Sequence, residues 1–403
     1  MLTRGDSVVV WNEVSKNWEK VTSSLIAGRG YIQTSASGHG TTGTVNFTGT
    51  TNNGDITTPS LTRTGLLTTS GFNLVGNPYP SYLRWSGTNS VLADANNTEI
   101  GTSFWYRTKN NADAYIFVTH NGTSGYTIPA DQTANTTVTG IIPPMQAFWV
   151  RVTSSPTTMK FTNVMRLHAD DNGNKFKAPK NDERKRLRLQ LTNETATDEA
   201  LIYFDAAASN SFDNYDSPKM LNNSTTVPDL YSKAGNEKLV INGLAEATDN
   251  MTLPLGFTLK TAATVLTLKV SELSNFASGM KVYLLDNELN NQTELLPETQ
   301  YTFNTTTASS NNESRFSLLF RAPGVATGID NAGKLNTQVF VNAANQIVIS
   351  APIKSNYAIY NAMGQLIENG VLNTERETRN AKLAAGVYVV KVGNTNSTRV
   401  IIK

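Results

Sequence analysis

Gly386-Val387-Tyr388-Val389-Val390-Lys391-Val392 is the stretch that decides the fold. Tyr388, Val390 and Val392 fall on one face, and Val387, Val389 and Lys391 on the other. This is the period-2 pattern of a half-buried strand. Shorter runs of the same kind surround it: Gln346–Ser350, Tyr357–Tyr360, Gln365–Glu368 and Arg399–Ile402. Together they predict a small immunoglobulin-like β domain over residues 336–403, too small for an enzyme. Upstream, residues 323–335 read as a short Gly-containing linker. Leu187, Leu189 and Leu191 then alternate with Arg188 and Gln190, and strand-like runs recur to Phe320, predicting a β-sandwich or jelly roll over 187–322. Residues 166–186 are polar, broken by Pro179, and end in the basic run Arg184-Lys185-Arg186; they read as a solvated linker. Residues 1–165 carry β-branched and aromatic clusters at Ser7–Trp11, Phe72–Val75, Ser103–Arg107, Ala114–Thr119 and Gln146–Val152, while the polar stretch from Thr34 to Ser70 reads as long loops. The expected architecture is all-β: tandem β-sandwich (jelly-roll or Ig-like) domains ahead of a small Ig-like one.

Composition agrees with that pattern. At 403 residues the chain exceeds one ordinary core, and its charged fraction of 16% is low, with Asn, Thr, Ser and Gly filling the surface. Thirty-four Lys and Arg against 32 Asp and Glu leave a formal net charge of +2, which supplies no footprint for nucleic acid. The absence of cysteine excludes disulfides and thiolate metal sites. No apolar run reaches the ~20 residues of a transmembrane helix. The start, Met1-Leu2-Thr3-Arg4-Gly5-Asp6, lacks the zones of a signal peptide, so an exported protein of this sequence is expected to have lost its true N-terminus.

Two further motifs flank the opening stretch. Ile359-Tyr360-Asn361-Ala362-Met363-Gly364-Gln365 reads as a strand running into a turn, with Asn361 favouring turn entry and Gly364 placed for φ > 0. Leu383-Ala384-Ala385 leads into Gly386, where a glycine lets the chain enter the strand tightly, and Arg399-Val400-Ile401-Ile402-Lys403 closes the sequence. This ordered set resembles the type A C-terminal sorting domain of type IX secretion, a system of Bacteroidota. The resemblance implies that Tyr360, Asn361, Gly364, Gln365, Gly386, Val387, Tyr388, Lys391 and Lys403 carry the sorting signal. It also implies partners in the type IX translocon and its sorting and attachment machinery, an extracellular or outer-membrane-surface location, and often proteolytic removal, for which the 323–335 linker is the place. Gly71-Phe72-Asn73-Leu74-Val75-Gly76-Asn77-Pro78-Tyr79-Pro80-Ser81 and Ile142-Pro143-Pro144-Met145-Gln146-Ala147-Phe148-Trp149-Val150 are similar to elements of surface proteins from the same bacteria, as are Phe212-Asp213-Asn214-Tyr215-Asp216 and Leu253-Pro254-Leu255-Gly256.

Catalytic chemistry finds little support. The three histidines, His39, His120 and His168, have no G-x-S-x-G elbow to serve. Asp205, Asp213 and Asp216 cluster, but their spacing reads as a turn with Asx caps. Asp170, Asn172 and Asn174 alternate as calcium ligands do, yet the turn Gly is misplaced and Asn181 stands where an EF-hand needs Glu. No catalytic, cofactor or metal residue is expected. Arg4-Gly5-Asp6-Ser7 spells an integrin tetrapeptide and reads as coincidence. All five tryptophans lie in 1–165, and Tyr79, Tyr82 and Trp85, around Pro78 and Pro80, are the candidate ligand-facing aromatics. The sequence thus predicts a non-catalytic surface protein built of adhesive or stalk modules; the alternative is a carbohydrate-binding module of a larger glycan-processing enzyme.

Overall fold

A computed structural model describes residues 7–34, 49–66, 68–109, 115–130, 138–168, 182–193, 196–222, 227–260, 265–305, 312–322, 338–342, 346–351, 353–374, 376–379, 383–393 and 396–402. Among them, strands dominate and the helical content is limited to two 3-10 turns, Ala95–Asn97 and Asn163–Met165. No helix among the described residues is long and apolar enough to cross a membrane. The chain divides into two compact units, 1–323 and 324–403.

The first unit holds two principal cores. In its N-terminal half, five antiparallel strands run in the order Phe72–Gly76, Ala147–Val152, Ile100–Lys109, Tyr115–Asn121, Thr127–Ile128. Side-chain alternation sends Val75, Phe104, Phe148 and Val150 to an inner face, where they meet Tyr79, Leu83, Trp85 and Phe161. The outer face carries Phe72, Leu74, Trp105 and Trp149, covered by Trp11 and Ile32 from the three-stranded sheet Asn17–Lys20, Ser7–Asn12, Ile32–Thr34. Both faces of the sheet are therefore apolar, which explains why Trp149 and Phe148 are buried although they point oppositely.

In the second half an 11-stranded sheet folds over on itself. Phe204, on the strand Ala196–Phe204, lies 5.3 Å from Phe320 on Asn312–Arg321, although three other strands separate them in sheet order. The enclosed layer is made by Leu187, Leu189, Ile202, Leu255, Leu268, Leu284, Leu318 and their neighbours. This is a β-sandwich core of alternating inward residues.

Of residues 166–186, read as a solvated linker, 169–181 lie outside the described residues. Arg166–Leu167 pairs with Tyr82–Arg84 at one end of that segment, and Arg186 opens the strand Arg186–Asn193 at the other. Arg184 stacks on Tyr126 at 4.3 Å and donates to the Ser124 carbonyl, while Arg186 pairs with Glu272 at 2.6 Å. Arg184 and Arg186 are thus held by aromatic and carboxylate partners. Ala196 and Val227 join the core of the N-terminal half, and Ile128 joins Leu201, Tyr203, Val240 and Ile241 on the other side. Arg151 completes the joint with a bidentate pair to Glu237 at 3.0 and 3.1 Å.

The second unit is a small sandwich. Gln338–Val341, Ile347–Ser350 and Arg376–Arg379 form one sheet; Leu366–Val371, Asn356–Asn361, Gly386–Val392 and Asn396–Ile402 form the other. Ile347, Ile349, Tyr357, Ile359, Tyr388, Val390 and Val392 fill the space between. The alternation read in 386–392 holds: Tyr388, Val390 and Val392 are buried, and Lys391 is exposed.

Candidate functional site

The motif residues of the second unit, 20 or more positions apart in sequence, become neighbours in the sheet. Asn356–Asn361 and Gly386–Val392 are adjacent antiparallel strands, with Tyr360 opposite Val389 and Asn361 opposite Tyr388. The Asn361 carboxamide oxygen accepts from the Met363 and Gln365 amides at 3.0 and 2.9 Å, closing the turn that Gly364 completes at φ +79°. A side chain there would face open space, so Gly364 is required by backbone conformation alone. Tyr388 lays its ring in the core and donates its hydroxyl to the Ala384 carbonyl at 2.8 Å. Gly386 departs from expectation: a Cβ would meet nothing closer than 3.8 Å, so no tight entry demands glycine. Val387 and Val389 lie half-buried on the outward face, beside exposed Ile401 and Lys391. Lys403 lies outside the described residues.

In the first unit the aromatic trio does not form an exposed row. Tyr79 and Trp85 have no solvent exposure, and Tyr82 is half-buried. Asn77 caps the turn by accepting from the Tyr79 amide and donating to the Ser81 and Pro143 carbonyls, which tucks the tyrosine inward. Its hydroxyl reaches the Gly54 carbonyl at 2.5 Å, and burial, aided by Asp55 and opposed by Arg166, pushes it up to about 12. Trp85 donates to the Thr102 carbonyl at 2.7 Å and packs edge-on against Phe104 and Phe148.

Trp18 and Tyr115 are aromatics that do reach the surface. Trp11, Trp18 and Trp149 form a three-way edge-on cluster with centroids 5.4–5.8 Å apart, and Trp18 remains 40% exposed on a strand whose four residues are all exposed. Trp149 stands opposite Trp105, and further along the same face Arg107 stacks on both Phe117 and Tyr115 at 5.2 and 5.3 Å. Lys109 covers Tyr115 as well, at 5.4 Å. Trp18 is one of the five tryptophans counted in 1–165 but is not among the ligand-facing candidates, and Asn17–Lys20 is too short and polar to show periodicity.

Titratable groups in the first unit are mostly built into the fold. His120, which shares its Nδ1 with the Thr127 hydroxyl at 2.9 Å, is lowered to about 4 by burial. Asp213 and Asp216 cap the 209–216 turn: Asp213 accepts from the Ser209 and Tyr215 amides, and Asp216 from those of Asp213 and Gly243. Burial, chiefly, raises Asp216 to about 7. Among the described residues no three His, Cys, Asp or Glu side chains converge as metal ligands. His39, the Asp170–Asn181 loop and Arg4-Gly5-Asp6 lie outside the described residues.

Two families match the chain. The family described as Secretion system C-terminal sorting domain matches residues 339–403, which are the strands and turns built above, and it makes the chain a type IX secretion protein that is secreted or displayed at the cell surface and engages the secretion machinery. The family described as Domain of unknown function (DUF8693) matches residues 3–320. No curated protein and no solved structure matches the chain. That the second match covers both halves of the first unit fits their shared packing, and it makes the chain a member of the DUF8693 family with a type IX sorting domain after it.

Proposed function

We propose that the chain is a non-catalytic surface protein whose 1–323 unit is an adhesive module, delivered by the sorting domain. The observation that carries this reading is a sheet face whose buried Trp149 and Trp105 are flanked by the exposed rings of Trp18 and Tyr115 and by exposed Arg107. Rings fixed by edge-on neighbours present rigid apolar faces at little entropic cost, and the cations beside them add polar contacts. The placement of His120 and Asp216 inside the packing, bonded to their own fold, supports a structural role for them. The same face favours a second reading, a glycan-binding module serving a larger surface enzyme, because sugar faces stack on such rings.

An array of surface glycans and host-matrix proteins probed with the full chain separates the two. Trp18→Ala is expected to weaken binding to whichever class is retained by about tenfold, since truncating a central aromatic contact costs more than ~1 kcal/mol. Unchanged binding by this variant would remove this face from the account.

A further inference from the structure

Lys219, Asp198 and Asp229 meet inside the first unit, although Asp198 lies on the strand Ala196–Phe204, Lys219 just after Ser217–Pro218, and Asp229 at the start of Asp229–Ala234. Their side chains are 5%, 11% and 4% exposed. The Lys219 Nζ is 2.5 Å from Oδ2 of Asp198 and 3.7 Å from Oδ1 of Asp229. The backbone on each side is fixed: Lys219 N–H donates to the Lys238 carbonyl, and Asn222 donates to Asp229 Oδ1 through its amide and carboxamide at 2.9 and 2.8 Å. The Leu230 N–H donates to the same Asp198 Oδ2 at 2.6 Å.

An ordinary buried ion pair needs one lysine and one carboxylate. Here a second carboxyl is sealed beside the first, an arrangement that is costly unless one of the two is protonated. Burial drives the Asp229 carboxyl upward, Lys219 opposes it, and Asp198 adds to the rise. The site therefore holds an amine, a carboxyl acceptor, a neighbouring carboxyl able to carry a proton, and a backbone N–H aimed at the acceptor's oxygen. Those are the parts of an acyl-transfer centre.

We propose that Lys219 and Asp198 condense to an intramolecular isopeptide bond, with Asp229 shuttling the protons. The first step passes one proton from the Lys219 ammonium to the Asp198 carboxylate across their contact. With Nζ this close to Oδ2, Cγ is at most one C–O bond further, near the ~3–3.5 Å of a reactive arrangement. The nitrogen lone pair forms the N–Cγ bond, and the Leu230 N–H steadies the negative charge developing on Oδ2. Asp229 takes a proton from the nitrogen and returns it to the departing oxygen, the Cγ–Oδ1 bond breaks, and one water leaves. The ammonium and carboxylate become an amide plus water, and Asp229 ends as it began. No oxidant or added group is needed. The bond ties the strand Ala196–Phe204 to the segment after Ser217–Pro218, in a chain that has no cysteine with which to cross-link itself.

The test is intact-mass spectrometry of the purified full chain under denaturing conditions, followed by tryptic mapping. The native chain is expected to weigh less than its sequence by one water, with a branched peptide joining Asp198 to Lys219. Lys219→Ala and Asp229→Asn are each expected at their full sequence masses. A native chain at full mass overturns the proposal, as does a water loss that survives in Lys219→Ala; a branched peptide in Asp229→Asn overturns the role given to Asp229.

Discussion

Replacing Arg315 by Ala is expected to destabilise the 1–323 unit by about 3–5 kcal/mol, because it strands a buried carboxylate. Asp286 has a fully buried side chain, and Arg315 bonds it through Nε at 3.2 Å and Nη2 at 2.9 Å. The guanidinium also donates to the Asn304 carbonyl and lies between Phe303 and Phe316, 4.7 and 5.0 Å from their centroids. Truncation therefore removes a charge partner, a carbonyl's donor and a packed planar group together. Burial alone would raise Asp286, but hydrogen bonds from Arg315 and Tyr301 outweigh it and hold the carboxyl below its usual 3.8. A depressed carboxyl contributes stability that is complete above the ordinary value and disappears as pH falls through the folded one. The gap between native chain and Arg315→Ala in denaturant melts is thus expected to be full at neutral pH and to narrow below about pH 4. A gap that stays constant into acid would mean that packing, rather than the ion pair, is what Arg315 supplies.

Asn121→Ala is expected to cost about 3 kcal/mol or more, from several polar groups stranded at about 1–3 kcal/mol each. Asn121 is fully buried where the two halves of the first unit meet. Its carboxamide oxygen accepts from the Thr123 and Ser124 amides at 2.9 and 2.8 Å. Its nitrogen donates across the joint to the Asp216 carbonyl at 2.9 Å, with the Asn214 carbonyl and the Ser217 hydroxyl at 3.2 Å. Alanine satisfies none of these groups and leaves a void. Equilibrium unfolding in urea reads the loss; a change below ~0.5 kcal/mol, the range of an ordinary surface substitution, would show that the joint does not depend on this side chain.

What the sequence revealed followed the strength of its periodicity. Leu187, Leu189 and Leu191 alternate cleanly and sit in the sandwich core as read. Met251–Thr258 forms a strand although it contains Pro254, against the usual rule that keeps proline out of strands. Pairing with Asp229–Ala234 begins only at Leu255, so Pro254 has a ladder partner on one side alone, Ser317. Leu61, Ile56 and Thr57 belong to packed or paired backbone within the polar stretch read as loop, held by contacts more than 90 residues away that no local pattern encodes. The same long-range packing turned Tyr79 and Trp85 inward and left Trp18 outside. The sorting motif was legible because its residues act locally: a turn closed by Asn361 and Gly364, and a strand with one apolar face.

Export through residues 339–403 is read out by secretion in a type IX-competent bacterium. The intact chain and one ending at Pro323, each fused to the same export signal peptide, are compared by surface labelling and fractionation. The intact chain is expected to reach the surface or the medium while the shortened one stays in the periplasm. Equal export of both would contradict it and leave residues 339–403 as a β domain without a sorting role.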